Sequence, residues 1–188
     1  MLSYDKMVGV LKSVLEFIGD NPNREGLVET PDRILSSYEK LFGGYKEDPV
    51  AILSKTFELG RENSEMILLK DIEFFSYCEH HMIPFFGKVA VGYVPVKRVV
   101  GVSKIARVVE IYSRRLQIQE RMTTQIADAI ENVLSPLGVA VLVEAQHLCM
   151  MARGIEKQHS KMVTSAMYGL FRYNESARSE FLTLANRG

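Results

Sequence analysis

Apolar residues recur at helical spacing at the start of the chain and at alternating spacing through its middle and end. Between residues 3 and 18, Met7, Val10, Leu11, Val14, Leu15 and Ile18 fall three or four apart, which predicts an amphipathic helix. Gly19-Asp20-Asn21-Pro22-Asn23 ends it. Thr30-Pro31-Asp32 opens a second helix, with Thr30 as cap, Pro31 at the first helical position and Asp32 facing the positive end of the dipole. Ile34, Leu35, Tyr38, Leu41 and Phe42 supply its apolar face, and Gly43-Gly44 closes it. The two helices read as an N-terminal helical arm over residues 1–60.

From about residue 65 the period changes. Residues 66–75 are rich in strand formers, and 88–94 alternate, with Val89, Val91 and Tyr93 on one face. Gly101-Val102-Ser103 opens a long helical stretch that reaches Leu134, with a break at 115–118, and Pro136 and Gly138 end it. Residues 139–147 alternate again, and 161–173 read as a last strand. The order strand, strand, helix, helix, strand, strand predicts an α+β domain with an antiparallel sheet over residues 61–188.

Composition narrows the class. The chain has 188 residues, 47% of them hydrophobic, which is enough apolar surface to fold and excludes an intrinsically disordered chain. Lys plus Arg and Asp plus Glu both total 23, so no basic excess points to nucleic acid or to an anionic membrane. A neutral chain repels its own copies little, which suits an oligomer. No apolar run is long enough to span a membrane, and Asp5, Lys6, Lys12 and Glu16 interrupt any signal-peptide core. Two cysteines do not make a disulfide framework. These features predict a soluble, cytoplasmic globular protein.

Both cysteines and three of the four histidines lie in two short segments, Cys78-Glu79-His80-His81 and His147-Leu148-Cys149; His159 stands apart. If the strand over 139–147 runs on, His147 and Cys149 share a face with Val143 and Ala145. A lone cysteine is more often a small hydrophobe, and a Cys78–Cys149 disulfide competes, although a reducing compartment disfavours it. Thiolate with imidazole suits Zn²⁺ better than Mg²⁺ or Ca²⁺. Five candidate ligands are too many for a catalytic zinc, which takes three and leaves one position to water. Spacing alone does not choose among them.

Long motifs then carry a resemblance. Cys78-Glu79-His80-His81 through Pro84-Phe85 and Gly87, then Gly92-Tyr93-Val94-Pro95, resemble the GTP cyclohydrolase I family. So do Gly101-Val102-Ser103-Lys104 with Arg107, Gln117-Ile118-Gln119-Glu120-Arg121-Met122-Thr123, His147-Leu148-Cys149-Met150 with Arg153-Gly154, and Thr164-Ser165. The arm is similar at Glu25-Gly26-Leu27 and Thr30-Pro31-Asp32-Arg33, so the resemblance runs from about residue 24 to the C-terminus.

The resemblance implies a tunnelling fold, an antiparallel four-stranded sheet with two helices packed on one face. It implies Zn²⁺ held by Cys78, His81 and Cys149, with His80 and His147 left for proton transfer. The implied reaction opens the guanine imidazole ring of GTP, releases C8 as formate and forms 7,8-dihydroneopterin triphosphate, for folate or tetrahydrobiopterin synthesis. His147 would protonate N7, and His80 would serve the later ribose-opening and Amadori-type steps. Glu120, an acceptor-only carboxylate, would take the N1–H and 2-amino donors of guanine, with Gln119 assisting at the base edge or near the ribose. No Gly-x-x-x-x-Gly-Lys loop is present; Lys104, Arg107 and Arg153, with Ser103 in support, would hold the triphosphate instead. Without the resemblance, the same cluster reads as a solvated helix start, and Glu120-Arg121 as a surface charge pair.

The family forms homodecamers, two stacked pentameric rings with active sites at subunit interfaces, so the partners implied are GTP and further copies of the chain. Feedback control and a regulatory protein partner leave no mark in the sequence. Met162 stands where the family often has Thr, and His159 and Arg114-Arg115 have no assigned role. A non-catalytic zinc module needs a closed four-ligand site. A pterin-synthase relative would use histidine ligands only, a nitrile-reductase relative a nucleophilic cysteine without zinc, and a deaminase a Pro-Cys-x-x-Cys segment that is missing here.

Overall fold

In the computed structural model, which describes residues 2–59 and 65–187, the chain forms two units, Met1–Gly43 and Gly44–Gly188. In the first, α1 (Tyr4–Phe17) starts at Ser3, whose hydroxyl accepts from the Lys6 amide at 3.4 Å. The helix α2 (Thr30–Leu41) begins one residue earlier than its sequence suggests. Glu29 is the cap, and Thr30 already lies in the helix, its hydroxyl donating to the Gly26 carbonyl at 3.4 Å. Tyr4 joins the two helices by donating to Asp32 Oδ1 at 3.0 Å.

The expected seam at 60/61 falls at residues outside those described. Ahead of it, α3 (Pro49–Leu53) and β1 (Thr56–Glu58) belong to the second unit, with Asp48 capping α3 through the Val50 amide at 2.9 Å. The strands β2 (Ile67–Cys78), β3 (Pro84–Val94) and β4 (Arg98–Val100) follow, then α4 (Val102–Ser113), β5 (Leu116–Gln117) and α5 (Gln119–Leu134). The chain ends with β6 (Gly138–His147), α6 (Leu148–Met151), β7 (Met162–Gly169), α7 (Leu170–Tyr173) and α8 (Glu175–Asn186). The main sheet has the order β5-β2-β3-β6-β7, and β1 pairs with β4 in a separate ribbon. All neighbours are antiparallel except β5, which runs parallel to β2. The architecture is α+β, as expected.

The four antiparallel strands β2, β3, β6 and β7 are as expected, and two details differ. The sheet carries a fifth strand, because the break between α4 and α5 lays Leu116 and Gln117 beside Tyr77 and Cys78. The last strand ends at Gly169, not Tyr173. Gly169 has φ +52°, and a Cβ there would sit 2.2 Å from the Leu137 carbonyl oxygen, so the chain turns at the one residue that tolerates both. The apolar alternation simply continues into α7, which made 161–173 look like a single strand.

Each sheet face has a core. On one face Phe74, Phe85, Val89, Val141 and Val143 pack with Val108 of α4 and Met122, Ile126 and Ile130 of α5. On the other, Ala90, Val94 and Ala140 pack with Phe171 and Phe181 of α7 and α8. Each large side chain fully buried in this way stabilises the fold by about 1.5–3 kcal/mol. The register fixes what meets at the other end of the sheet: Tyr77 pairs with Pro84, and Phe85 with His147. The end of β2, the start of β3 and the end of β6 therefore come together.

Candidate metal and nucleotide site

Cys78 is the last residue of β2, and its amide donates to the Ile83 carbonyl at 2.9 Å. The chain then turns tightly: the amides of His81 and Met82 donate back to the Cys78 carbonyl at 3.3 and 2.8 Å. Met82 takes φ +53° to close the turn. This brings His81 Nδ1 to 3.8 Å from Cys78 Sγ.

Cys149 arrives by a different route from the one its spacing suggests. β6 stops at His147, and Cys149 lies in the short helix α6, so it does not share a strand face with His147. The helical turn, rather than strand alternation, aims its sulfur. Cys78, His81 and Cys149 offer one ligand atom each, all within 4.8 Å of one another, and can hold a metal ion. Ideal tetrahedral zinc bonds to sulfur and nitrogen put ligand atoms about 3.5–3.8 Å apart. The three donors thus need to close by about an ångström or less to grip Zn²⁺. Both cysteines are free thiols. Burial, and then the adjacent Cys78 sulfur, push the Cys149 thiol above its usual range, while Arg153 opposes this.

His147 is half-buried beside this group. Its ring stacks on Phe85, with centroids 4.5 Å apart and planes 4° from parallel. Burial holds its imidazole below the usual histidine range, and the charge of Glu120 works against that shift. Glu120 is exposed in the first turn of α5. His80 is exposed in the turn, its ring 6.2 Å from that of His81. Arg153 Nη1 lies 3.5 Å from His81 Nε2, so one of the expected phosphate cations stands at the metal group.

Gln119, expected at the base edge or near the ribose, is buried. Its side chain is 1% exposed, points inward and has both ends of its amide engaged by the protein. The neighbouring Thr123 and Thr164 hydroxyls are 2.7 Å apart and belong to the same network. Met162 contributes its backbone carbonyl there, which any residue type supplies.

Ser103, Lys104 and Arg107 do not join the group. They lie in the first half of α4, which follows the Val94 end of the sheet, whereas Ser113 at its other end leads into the strand beside Cys78. The 12 residues of α4 span roughly 18 Å. One chain therefore carries the group that could hold a metal and its α4 cations at opposite ends of the sheet. α4 has neither a side-chain cap nor an acidic residue in its own first turn.

Sequence reasoning missed a tether. Glu79 pairs with Arg121, whose Nε donates to Gln117 Oε1 at 3.1 Å, and the Glu79 amide donates to the Gln117 carbonyl at 3.0 Å. The Arg121 guanidinium holds the Glu79 carboxyl below its usual range. The ion pair locks the ligand turn to the start of α5. Arg121 looked like the mate of Glu120, and only the β2–β5 pairing brings Glu79 to it.

The family model described as GTP cyclohydrolase I matches residues 7–186. The GTP cyclohydrolase 1 of Wolinella succinogenes is 54% identical over 176 residues, covering 94% of each chain. That of Methylococcus capsulatus is 53% identical, covering 96% of this chain and 97% of its own. That of Leptospira biflexa is 48% identical, covering 97% of this chain and 99% of its own. A crystal structure of an archaeosine synthase QueF-Like protein in the apo form overlaps 58% of the chain at 19% identity, with a TM-score of 0.48. On the strength of the family match and of relatives sharing about half their residues along nearly the whole length, this chain belongs to the GTP cyclohydrolase I family.

Proposed function

We propose that the protein is a zinc-dependent GTP cyclohydrolase I that opens the imidazole ring of GTP, releases formate and forms 7,8-dihydroneopterin triphosphate. The convergence of Cys78, His81 and Cys149 within 4.8 Å is the observation that carries this reading. Two soft sulfurs and one imidazole suit Zn²⁺, and three protein ligands leave a coordination position free for chemistry. A zinc ion there supplies Lewis acidity that makes water nucleophilic near neutral pH.

The chain's own residues do the rest. His147 gives a proton to N7 of guanine, which makes C8 electron-poor; a placed acid of this kind contributes about 10²–10⁴-fold. Its half-buried setting beside the metal-ligating group supports that role. His80, exposed in the ligand turn, serves ribose opening and the Amadori-type proton shifts. Glu120 reads guanine by accepting from N1–H and the 2-amino group. Adenine offers no such pair, and the unmet acceptor costs about 1–3 kcal/mol.

The triphosphate falls to Arg153 at the metal end and to Ser103, Lys104 and Arg107 at the start of α4. Because those last three lie a helix length from the ligands of their own chain, the complete site combines two copies. The position of β7 at an edge of the sheet and the neutral net charge suit the same assembly, a homodecamer with interface sites. We place the enzyme in the cytoplasm, at the first step of folate or tetrahydrobiopterin synthesis; no helix among the described residues is long and apolar enough to cross a membrane.

Metal analysis coupled to a GTP assay tests the proposal. The expected result is bound zinc, with formate and a product that gives a fluorescent pterin on oxidation. Metal-loaded protein that leaves GTP intact would overturn it.

A further inference from the structure

We propose that Gln119 is a positioning residue: its side-chain carbonyl holds His147 as the Nε2–H imidazole, so that Nδ1 is the nitrogen that carries the transferable proton. The inference rests on the reading of His147 as the proton donor and adds which atom donates and what sets it.

The argument is an accounting of hydrogens in a closed space. Gln119 Oε1 lies 2.8 Å from His147 Nε2. On the other side of the amide, Gln119 Nε2 faces the carbonyl of Val143 at 3.1 Å, the carbonyl of Met162 at 3.0 Å and Thr164 Oγ1 at 3.1 Å. The two carbonyls only accept. Turning the amide over would set oxygen against both of them in a side chain that is 1% exposed.

The threonines agree. Thr123 Oγ1 donates to the Gln119 backbone carbonyl at 2.7 Å, which spends its hydrogen. At the 2.7 Å contact between the two hydroxyls Thr164 must then be the donor, which leaves its oxygen to accept from Gln119. The two amide hydrogens serve these three acceptors, one hydrogen being shared between two of them. Gln119 Oε1 is therefore an acceptor toward His147, and His147 Nε2 carries a hydrogen.

A neutral imidazole has a single N–H, so Nδ1 is bare in that form and is the second protonated nitrogen in the cation. The Phe85 stack sets the plane of the ring, and Gln119 sets its rotation within that plane. In the transfer, the Nδ1–H bond of the imidazolium breaks, an N–H bond forms at guanine N7, and the neutral Nε2–H imidazole remains. Both amide hydrogens of Gln119 are committed to protein acceptors, which leaves none for the base or the ribose.

Solid-state ¹⁵N NMR of zinc-loaded protein labelled at histidine tests this, with His147→Asn identifying the His147 signals among the four histidines. The expected spectrum at a pH where the ring is neutral has a protonated Nε2 and a bare Nδ1. In Gln119→Met the Nε2–H signal should move as its acceptor is lost. With GTP, kcat should fall about 10- to 100-fold while KM stays within about twofold and zinc content is kept. A protonated Nδ1 in the neutral wild-type ring overturns the proposal even if the variant does not fold. A raised KM with kcat preserved also overturns it, since that marks a substrate contact. If His147→Ala opened the GTP ring at the wild-type rate, the role of His147 would fall while the measured Nε2–H tautomer would stand, so the two failures are distinguishable.

Discussion

His147 lies directly opposite Phe85 in the β3–β6 register, and the two rings stack face to face at 4.5 Å. Phe85 is fully buried, so the imidazole is laid against a wall that belongs to the core. The core thereby sets the attitude of the imidazole proposed as the proton donor.

Phe85→Leu keeps the site apolar and removes the flat surface. We expect a loss of about 1–2 kcal/mol in urea unfolding. Turnover of GTP should drop further than that loss implies, with KM little changed. Full kcat in the folded variant would show that the stack orients nothing.

The two thiols differ in what surrounds them, and their variants should differ accordingly. Cys149→Ser, in a four-residue helix and half-buried, should lose zinc and turnover at a cost in stability of no more than about 1 kcal/mol. Cys78→Ser places a hydroxyl in the core and should be the less stable of the pair. Metal content and thermal unfolding of both variants check this, and retention of zinc by either argues against its thiol as a ligand.

Gly87 of β3 lies opposite Ala145 of β6, two residues from the Phe85–His147 pair. A Cβ there would lie 1.9 Å from the Glu144 carbonyl oxygen and 2.7 Å from the Ala145 Cα, both backbone atoms. Gly87→Ala must push β6 aside, and we expect at least about 2 kcal/mol of destabilisation together with impaired turnover. A wild-type urea midpoint would contradict that.

Tyr168 donates to Asp128 Oδ1 at 2.9 Å, and burial, with that bond and the nearby charge, pushes its phenol up to about 12. Below pH 10 the phenol is protonated in both folded and unfolded chains. Between about 10 and 12 the unfolded chain has released the proton and the folded one retains it, so the bond's contribution declines as pH rises. Stability measured across that window should fall more steeply for wild type than for Tyr168→Phe. Parallel curves would mean that the phenol does not titrate late.

A composite site makes a prediction about mixtures. Chains carrying His147→Ala and chains carrying Lys104→Ala should each be nearly inactive alone. Dissociated and reassembled together at equal amounts, they should recover up to about a quarter of wild-type activity, because some sites draw both intact ends from different chains. No recovery in a well-formed mixed oligomer would assign both groups to one chain's site.

Much of this was legible along the chain because it is local. Residue types name the ligand chemistry, and the periods of three to four and of two mark α1, α5, β3 and β6. Helix α8, with a weaker pattern, and the two-residue β5 carry too little periodicity to stand out, yet α8 covers the second sheet face and β5 aligns Cys78 with Gln117. Cys149 shows the limit best: two residues after His147 it would share a strand face, but the strand ends and a helical turn aims the thiol instead. Gln119 is similar, a polar residue for which the resemblance implied a substrate role and whose amide meets two backbone carbonyls, Thr164 and His147. Backbone hydrogen bonding within an element depends on the next few residues and is written in them. Where β2, β6 and α5 meet depends on register and on the packing of two cores, and the sulfurs of Cys78 and Cys149 become neighbours only after those long-range pairings are made.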